Sequence, residues 1–262
     1  MEFFDSHAHY DDEKFNNDRN EVISSVKAEG ITRLVSVGYS LEASRFAQRL
    51  SEEYDFIYHS CGISPNDIPQ TEDELWKKLK EIEKIAKQKH KKLVAIGEIG
   101  LDYYWNKENA DLQKLAFIEQ IKIANECELP IIIHTREAVA DTIDILKNKQ
   151  KALRTGIFHC CPLNRELVKE ALKLGYYISF AGPITFKNSK NATEIIDMVP
   201  LEKILIETDS PYLSPEPNRG KRNDSRNIKY MAQKIAEVKQ MPLEEIARIT
   251  YENANRVFKL KD

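Results

Sequence analysis

The sequence lacks the features of secreted, membrane-spanning and disulfide-stabilised proteins. It has only four cysteines and no CxxC pair, and the adjacent Cys160 and Cys161 would make a poor zinc clamp. We therefore expect reduced thiols, as in the cytoplasm. No apolar run approaches the roughly 20 residues of a membrane span, and the opening MEFFDSHAHYDDEKF has neither a basic start nor an apolar segment. We predict a cytoplasmic protein with no signal peptide.

An excess of charge of either sign is also missing. The 262 residues carry 39 Lys and Arg against 42 Asp and Glu, a formal net charge of −3. This balance provides no overall attraction to nucleic acid or to an anionic membrane, so a polyanionic substrate would need a local basic patch or bound cations. The length suits a single (β/α)8 barrel, which takes about 250 residues, and such a chain buries a large core without disulfides.

What the chain does contain is an alternation of short apolar runs with longer amphipathic segments. The runs are rich in Ile, Val, Phe and Tyr, as buried parallel strands are. They cover residues 2–7, 33–38, 56–63, 93–100, 130–135, 156–161, 176–182 and 203–209. No glycine-rich phosphate loop follows the first run, which argues against an open, doubly wound sheet. The pattern predicts the α/β class, with one TIM-type (β/α)8 barrel domain over residues 1–262.

The segments between the runs have helical periodicity. Residues 71–89 place four apolar side chains on one face, and Thr71 with Glu74 has the spacing of a capping box. The helix predicted over 111–128 is expected to turn inward Leu112, Leu115, Ile118, Ile121 and Cys127 or positions near them. Two more helices are predicted over 163–174 and 242–258.

Six side chains of metal-binding types lie at the ends of the predicted strands. They are His7, His9, Glu98, His134, His159 and Asp209. In (β/α)8 barrels the C-terminal ends of the strands form the mouth that carries the active site. Four of the chain's six histidines belong to this set, which independent structural roles would not explain. The pattern predicts the metal centre of a metal-dependent hydrolase.

Strand neighbours suggest how these ligands divide between two ions. His7 and His9 lie two residues apart and therefore point to the same side of a strand. The first and last strands of a closed barrel are adjacent, so Asp209 would join them at one ion. His134 and His159 belong to neighbouring strands and would share a second ion.

Glu98 can bridge the two ions because a carboxylate has two oxygens. Two divalent ions about 3.5–4 Å apart activate a water and stabilise charge on a displaced oxygen. Imidazoles suit zinc and carboxylates also suit magnesium and manganese, so the sequence leaves one or two ions of Mg, Mn or Zn open. Asp209 can also accept the proton of the water as general base. The alternatives for Asp209 are ligation alone or capping the turn before Pro211.

Several motifs run in order from one end of the chain to the other. They are FDSHAHYDD (4–12), AIGEIGLDYYW (95–105), PIIIHTREA (130–138), FHC (158–160), AGPITFKN (181–188), IETDSPYLSP (206–215), RGKRN (219–223) and TYENANRVF (250–258). With them the sequence resembles, over essentially its whole length, the TatD-type metal-dependent deoxyribonucleases, a branch of the amidohydrolase-like barrels. The resemblance implies a (β/α)8 barrel, one or two divalent ions at the six positions above, and hydrolysis of DNA phosphodiester bonds, often as a 3′ exonuclease.

The sequence departs from the pattern of that family in three places. Ser64 stands where many relatives have His, and His59 is five residues too early to replace it. Residues 160–163 read Cys-Cys-Pro-Leu rather than Cys-Phe-Ser-Gly, and residues 223–225 read Asn-Asp-Ser rather than Asn-Glu-Pro. We expect metal binding to survive these changes, which instead affect phosphate contacts, substrate range and turnover.

Basic and aromatic side chains around the predicted mouth are candidates for substrate contacts. They are Arg136, Arg219, Lys221, Arg222 and Tyr103, the last with its neighbours Tyr104 and Trp105. The basic side chains can neutralise phosphates, and the aromatic ones can stack on a base. The alternatives are an ion pair between Arg136 and Glu137, a solvated loop at 219–223, and simple packing of the aromatic rings.

Two other functions stay open at this point. An amidohydrolase acting on a small cyclic amide or ester shares the same histidine and aspartate plan, but many members of that class carry a carboxylated Lys on the fourth strand, where this chain has Glu98. A metal-binding protein that has lost activity and serves as an interaction module is the third possibility, against which the complete set of six ligands argues. The sequence does not determine the oligomeric state, and a monomer is the working expectation.

Overall fold

Eight parallel strands within residues 1–261, the part of the chain that the computed structural model describes, lie in one sheet in their order along the chain. They are β1 (Phe3–Ala8), β2 (Ile31–Ser36), β3 (Ile57–Cys61), β4 (Leu93–Asp102), β5 (Ile131–Arg136), β6 (Ile157–Phe158), β7 (Tyr177–Phe180) and β8 (Ile204–Ile206). Each strand overlaps one of the eight predicted apolar runs. The TIM-type barrel prediction is therefore confirmed. The predicted single domain extends to Asp262, which lies outside the described residues, so the domain assignment stays a prediction.

The barrel closes between the chain segment after β8 and the end of β1. Ala8 forms an isolated parallel bridge with Ser210. The backbone N–H of His9 donates to the Ser210 carbonyl at 2.7 Å, and the N–H of Asp209 donates to the His7 carbonyl at 2.9 Å. The backbone that carries Asp209 is thus hydrogen-bonded directly to the backbone that carries the two histidines of β1.

Helices cover the outside of the sheet, and those of residues 1–261 number nine. They are α1 (Arg19–Ala28), α2 (Leu41–Glu53), α3 (Glu72–Lys87), α4 (Ala110–Cys127), α5 (Val139–Asp144), α6 (Arg165–Lys173), α7 (Ala192–Met198), α8 (Ile228–Lys239) and α9 (Leu243–Phe258). Helix α3 begins as predicted, because the Thr71 hydroxyl accepts a bond from the Glu74 N–H at 3.3 Å. Within the described residues, no helix combines the length and the apolar composition that a membrane crossing requires.

Helix α4 packs on the core through the predicted side chains and buries most deeply the positions next to them. Of the five side chains expected inward, only Ile121 is fully buried, and Leu112, Leu115, Ile118 and Cys127 are half-buried. Gln113 and Gln120 are buried instead because their amides bond to backbone groups. Gln113 Oε1 accepts from the Asp102 N–H at 2.8 Å, and Gln120 Oε1 accepts from the Ile63 N–H at 2.7 Å. Helix α4 therefore holds the chain segments that follow β3 and β4.

The interior of the barrel below the mouth is filled by apolar side chains. One buried cluster takes members from seven strands, namely Phe4, Val35, Val94, Ala95, Ile132, Ile157, Tyr177 and Leu205. Side chains from so many strands can meet only inside the barrel. The end of α9 packs on this cluster, where the Phe258 ring stacks on Phe4 with centroids 5.7 Å apart. Helix α9 thus closes the end of the barrel opposite the C-terminal mouth.

The close approach of β4 and β5 at Gly100 leads to a prediction about stability. A Cβ at Gly100 would lie 2.0 Å from the carbonyl oxygen of His134, and the φ of this residue is +140°. Gly175 also has a positive φ, +84°, but nothing lies within 4 Å of its ideal Cβ. Gly175→Ala should therefore report the cost of the backbone conformation alone, about 1–3 kcal/mol. We expect Gly100→Ala to lower the free energy of unfolding by distinctly more.

Urea unfolding followed by circular dichroism measures both changes. Equal losses in the two variants would mean that the β5 backbone yields to a side chain at position 100 and does not exclude it.

Candidate metal centre

The six predicted ligands meet at the C-terminal mouth of the barrel. Their nitrogen and carboxylate oxygen atoms form three overlapping groups, in each of which the atoms lie within 4.8 Å of one another. The groups are His7, His9 and Glu98; His7, His159 and Asp209; and Glu98, His134 and His159. Glu98 lies inside its strand, contrary to the sequence prediction, because β4 continues to Asp102. His7 and His134 lie near the ends of β1 and β5, and His9, His159 and Asp209 lie beyond the ends of β1, β6 and β8.

One half of the cluster is built by the strands on either side of the closure. The Nε2 atoms of His7 and His9 lie 3.1 Å apart. Glu98 Oε2 lies 3.3 Å from His7 Nε2 and 3.7 Å from His9 Nε2. Asp209 Oδ1 lies 3.3 Å from His9 Nε2 and 3.7 Å from His7 Nε2. Two imidazole nitrogens and two carboxylate oxygens therefore surround one point.

The other half uses the second oxygen of the same glutamate. His134 Nδ1 and His159 Nε2 lie 3.2 Å apart. Glu98 Oε1 lies 3.1 Å from His134 Nδ1 and 3.7 Å from His159 Nε2. The two oxygens of Glu98 thus face two different pairs of imidazole nitrogens, the arrangement expected of a bridging carboxylate.

The donor set and its spacing fit divalent cations. Ligand atoms bound tetrahedrally at about 2.0–2.1 Å from a zinc ion lie about 3.3 Å from one another. The separations within the two halves range from 3.1 to 3.7 Å. Four imidazoles with two carboxylates match zinc and other transition metals, and the carboxylates also match magnesium and manganese. The residues present therefore fit one or two divalent ions.

Burial and neighbouring charges shift the pKa values of the clustered side chains in opposite directions. Burial alone would lower the pKa of His9, but the Asp209 carboxylate outweighs it and raises the pKa to about 9. Burial likewise acts to lower the pKa of His134, which Asp102 and Glu98 raise to about 9. Burial acts to raise the pKa of Glu98, yet the neighbouring imidazoles hold it well below its usual range. The carboxylate stays ionised, the form that binds a cation.

Two further carboxylates, which the sequence analysis did not single out, lie behind the second half of the cluster. Asp102 Oδ2 lies 2.9 Å from His134 Nε2. Glu207 Oε1 lies 3.3 Å from His159 Nδ1 and accepts a bond from the Cys160 N–H at 2.5 Å. Histidines that bind metals commonly have their other ring nitrogen held by a carboxylate in this way. These two residues orient the imidazole rings.

The spacing in the sequence would have identified some of these supporting carboxylates. Glu207 precedes Asp209 by two residues, and Asp5 precedes His7 by two, a separation that places both members on the same side of a strand. Asp5 is fully buried, and it accepts bonds from the Thr208 N–H at 2.9 Å and the Thr208 hydroxyl at 2.6 Å. Asp5 thereby holds the segment that leads to Asp209.

The backbone of Asp209 has an uncommon conformation for a residue with a side chain. Its φ is 55°, in the left-handed region that few residues other than glycine adopt. The Asp209 carbonyl accepts a bond from the Tyr212 N–H at 2.9 Å, and its own N–H is bonded to His7. This turn directs the carboxylate toward His9. Such local strain is concentrated at functional sites.

A cavity of about 880 Å³ lies over the cluster. Its wall is polar beside β2 and β3, and apolar beside the ends of β6, β7 and β8. The polar residues are Tyr39, Ser64 and Asn66, and the apolar ones are Pro162, Leu163, Ile184 and Leu213. Ser64, the first of the predicted departures from the family pattern, therefore lines the cavity. His59 lies elsewhere in β3, with its Nδ1 2.9 Å from the Ser51 hydroxyl, and does not replace it.

Of the substrate residues predicted at the ends of β4 and β5, the structure places Arg136 and Trp105 in the wall of the cavity. Arg136 lines the cavity, and its guanidinium lies 3.6 Å from the centre of the Tyr104 ring. Within residues 1–261 it forms no ion pair with Glu137. Tyr103 instead packs against the core, and its hydroxyl donates to Asp141 at 2.7 Å. This placement does not support the expected stacking of Tyr103 on a base; Tyr104 and Trp105 are the exposed rings.

The predicted basic loop lies outside the cavity wall. Arg222 forms a two-point ion pair with Asp18 at 2.6 and 2.7 Å, so a carboxylate already neutralises its charge. Arg219 packs its guanidinium 4.1 Å from the centre of the Phe186 ring, and Lys221 is exposed. Neither of these two has an ion-pair partner in the part of the chain that the structure describes. Only two of the three predicted loop cations keep an uncompensated charge.

Comparisons with known proteins agree with this geometry. The family model for TatD related DNases matches residues 4–259. The chain is 46% identical over 259 residues to the uncharacterized metal-dependent hydrolase YabD of Bacillus subtilis (strain 168), covering 98% of this chain and 99% of YabD. It is 36% identical over 264 residues to the uncharacterized metal-dependent hydrolase YcfH of Escherichia coli (strain K12), covering 98% and 96%. Among solved structures, the TatD homolog YJJV of Escherichia coli K12 superposes with a TM-score of 0.92 at 25% identity, covering 99% of this chain and 98% of YJJV.

The two-sided position of Glu98 leads to a prediction about metal affinity. Glu98→Ala should weaken binding of Mn²⁺ and Zn²⁺ more than His134→Ala or His159→Ala does, because it removes one oxygen from each half of the cluster. Titration calorimetry on metal-free protein measures the three affinities. Glu137→Ala, which removes an exposed carboxylate near the mouth, is the control. Equal, small losses in the first three variants would show that Glu98 is not a bridge.

Proposed function

Because the chain belongs to the family of TatD related DNases and is a metal-dependent hydrolase, we propose that it cleaves phosphodiester bonds in DNA as a 3′ exonuclease-like enzyme. The observation that carries this proposal is the placing of Glu98 between two pairs of imidazoles at the mouth of the barrel. Two adjacent cations are the arrangement that suits displacement at a phosphodiester, where an attacking and a leaving oxygen both carry charge.

In this proposal each residue of the cluster has a defined place. His7, His9 and Asp209 would hold one ion and His134 and His159 a second, and Glu98 would serve both sets of ligands. Such ions, whether Mg²⁺, Mn²⁺ or Zn²⁺, would supply Lewis-acid stabilisation of phosphate oxygens and would lower the pKa of a water. Asp102 and Glu207 keep the rings of His134 and His159 oriented.

Asp209 is the proposed proton acceptor, with Glu98 as the second catalytic carboxylate. Burial acts to raise the pKa of Asp209, but the hydrogen bond from His9 and the charges of the neighbouring imidazoles hold it below its usual range. The carboxylate is therefore ionised near neutral pH and can take a proton from an attacking water. Its strained turn fixes it at the edge of the cluster, on the side that faces the cavity.

The size of the cavity supports attack at the end of a strand. A volume of about 880 Å³ is in the range of sites for single small molecules, about 300–1,000 Å³. An unpaired end of one or two nucleotides fits such a space. Double-stranded DNA is too wide for such a space, because its major groove alone is about 12 Å across.

Exposed cations beside the cavity support a polyanionic substrate. Lys187 and Lys190 lie on the segment after β7, and Arg219 contacts Phe186 and Asn188 of that segment. Together with Lys221 they form a local basic surface on a chain whose net charge is −3. Such side chains can neutralise the phosphates of the strand that leads to the cavity.

A small amide or ester is the second candidate substrate, and the apolar wall of the cavity favours it. Hydrolysis of labelled single-stranded DNA, measured with each divalent ion, separates the two when an aryl ester and a cyclic amide are assayed beside it. Cleavage of the small substrates without cleavage of DNA would overturn the nuclease proposal.

We also propose the cytoplasm as the place of action, because none of the four cysteines forms a disulfide.

Asp209→Asn is expected to nearly abolish hydrolysis while the fold persists. Asparagine keeps the size and one oxygen of the side chain but cannot accept a proton from water near neutral pH. The loss of a general base typically lowers a rate by about 10²–10⁴. The measurement is phosphodiester cleavage at saturating metal, with circular dichroism as the control for folding. A folded variant that keeps more than about a tenth of the rate would exclude Asp209 as the base.

The salt dependence of DNA binding should distinguish the unpaired cations of the loop, Arg219 and Lys221, from Arg222, which is paired with Asp18. Arg219→Gln with Lys221→Gln should weaken DNA binding and reduce its salt dependence, because each lost phosphate contact lowers the slope of log K against log salt by about 0.7–0.9. Arg222→Gln removes the same charge from the same loop, but Asp18 already compensates it, so its slope should stay near that of the wild type. Fluorescence anisotropy at several salt concentrations measures the slopes. An unchanged slope in the double variant would show that the loop is merely solvated.

A further inference from the structure

Two exposed aromatic rings and one arginine stand together at the edge of the cavity. Tyr104 is 50% exposed and Trp105 is 67% exposed. The two rings lie edge to face, with centroids 4.8 Å apart. The guanidinium of Arg136 lies 3.6 Å from the centre of the Tyr104 ring and 5.5 Å from that of Trp105. We call Tyr104, Trp105 and Arg136 the aromatic rim.

The aromatic rim belongs to the wall of the cavity, and its charge is free. Trp105 and Arg136 line the cavity, and the Tyr104 ring packs against the guanidinium of Arg136. Arg136 has no ion-pair partner among residues 1–261, so its charge is available to a phosphate. Large exposed apolar surfaces next to a polar site commonly mark a place where a ligand binds.

A single buried carboxylate connects the aromatic rim to the metal centre. Asp102 Oδ1 accepts bonds from the N–H groups of Tyr104 and Trp105, at 3.0 and 3.2 Å. Asp102 Oδ2 lies 2.9 Å from His134 Nε2. The backbone of β5 adds a second link, because the Tyr103 N–H donates to the Arg136 carbonyl at 2.9 Å. The backbone that carries the two rings is therefore tied to the carboxylate that also contacts the proposed ligand His134.

We propose that the aromatic rim is a base-stacking subsite that binds the nucleobase next to the cleaved phosphodiester, with Arg136 on the adjoining phosphate. This inference rests on the proposed nuclease function. A free aromatic face attracts any base, whatever its sequence, and stacking with a nearby guanidinium adds to the attraction. Only an unpaired base offers its face in this way. Removal of the stacking ring should therefore weaken binding by about tenfold or more.

The chain offers a direct optical test, because Trp76 and Trp105 are its two tryptophans. Trp76 lies away from the cavity on α3, where its indole donates to Glu72 at 3.0 Å. In Trp76→Phe, Trp105 becomes the sole tryptophan. The metal-loaded variant is titrated with a thymidine oligonucleotide that carries phosphorothioate linkages at its 3′ end to slow cleavage. An abasic oligonucleotide of the same length and linkages is the matched ligand.

We expect the thymidine strand to quench the fluorescence of Trp105 and the abasic strand to leave it unchanged. In Trp105→Ala, where Trp76 alone emits, neither strand should have an effect. Equal quenching by both strands would show that only the phosphates approach the ring and would overturn the proposal. The absence of quenching with either strand would overturn it as well.

Kinetics with the unmodified versions of the same two strands separates this inference from the proposed function. The wild type should have a KM about tenfold lower for the thymidine strand than for the abasic strand, and Trp105→Ala should abolish that difference. Arg136→Gln should raise KM for both strands alike. Equal wild-type KM values would overturn the subsite. A wild type that cleaves neither strand yet shows base-dependent quenching would refute the nuclease proposal and leave the stacking surface standing.

Discussion

The metal centre depends on the hydrogen bonds that close the barrel between β8 and β1. These bonds join Asp209 to the His7 carbonyl and His9 to the Ser210 carbonyl, and they bring together residues about two hundred positions apart in the chain. Without the closure, Asp209 would lie at one edge of an open sheet and the two histidines at the other. Asp5 secures the same junction from below through Thr208. The first half of the cluster is therefore a direct product of the topology.

The sequence was sufficient for the barrel and its six convergent side chains because both follow local rules. Buried parallel strands are continuous apolar runs, and side chains at their C-terminal ends must meet at one mouth. The sequence was insufficient where the orientation of a side chain or helix depends on a partner far away in the chain. Arg222 pairs with Asp18, 204 positions away, and Gln113 turns α4 by bonding to the backbone of β4. The orientation of Tyr103 toward Asp141 is likewise a matter of tertiary packing.

The acidic side chains of the site are arranged in two layers, and the layers do different work. Glu98 and Asp209 face the imidazole nitrogens directly. Their negative charge would offset the free energy that it costs to bury a cation. Asp102 and Glu207 face the opposite edges of two imidazoles. Because the outer carboxylates restrict ring rotation, the inner atoms keep separations that match a coordination sphere.

Helix α9 closes the lower end of the barrel, and this closure limits the routes by which molecules reach and leave the site. Phe258, packed on Phe4 with the interior cluster above it, leaves no path from the cavity through the barrel to the far side. Anything released at the metal centre must leave by the opening through which it entered. A molecule at the cluster and a second one that approaches it therefore use the same opening and cannot pass each other through the barrel.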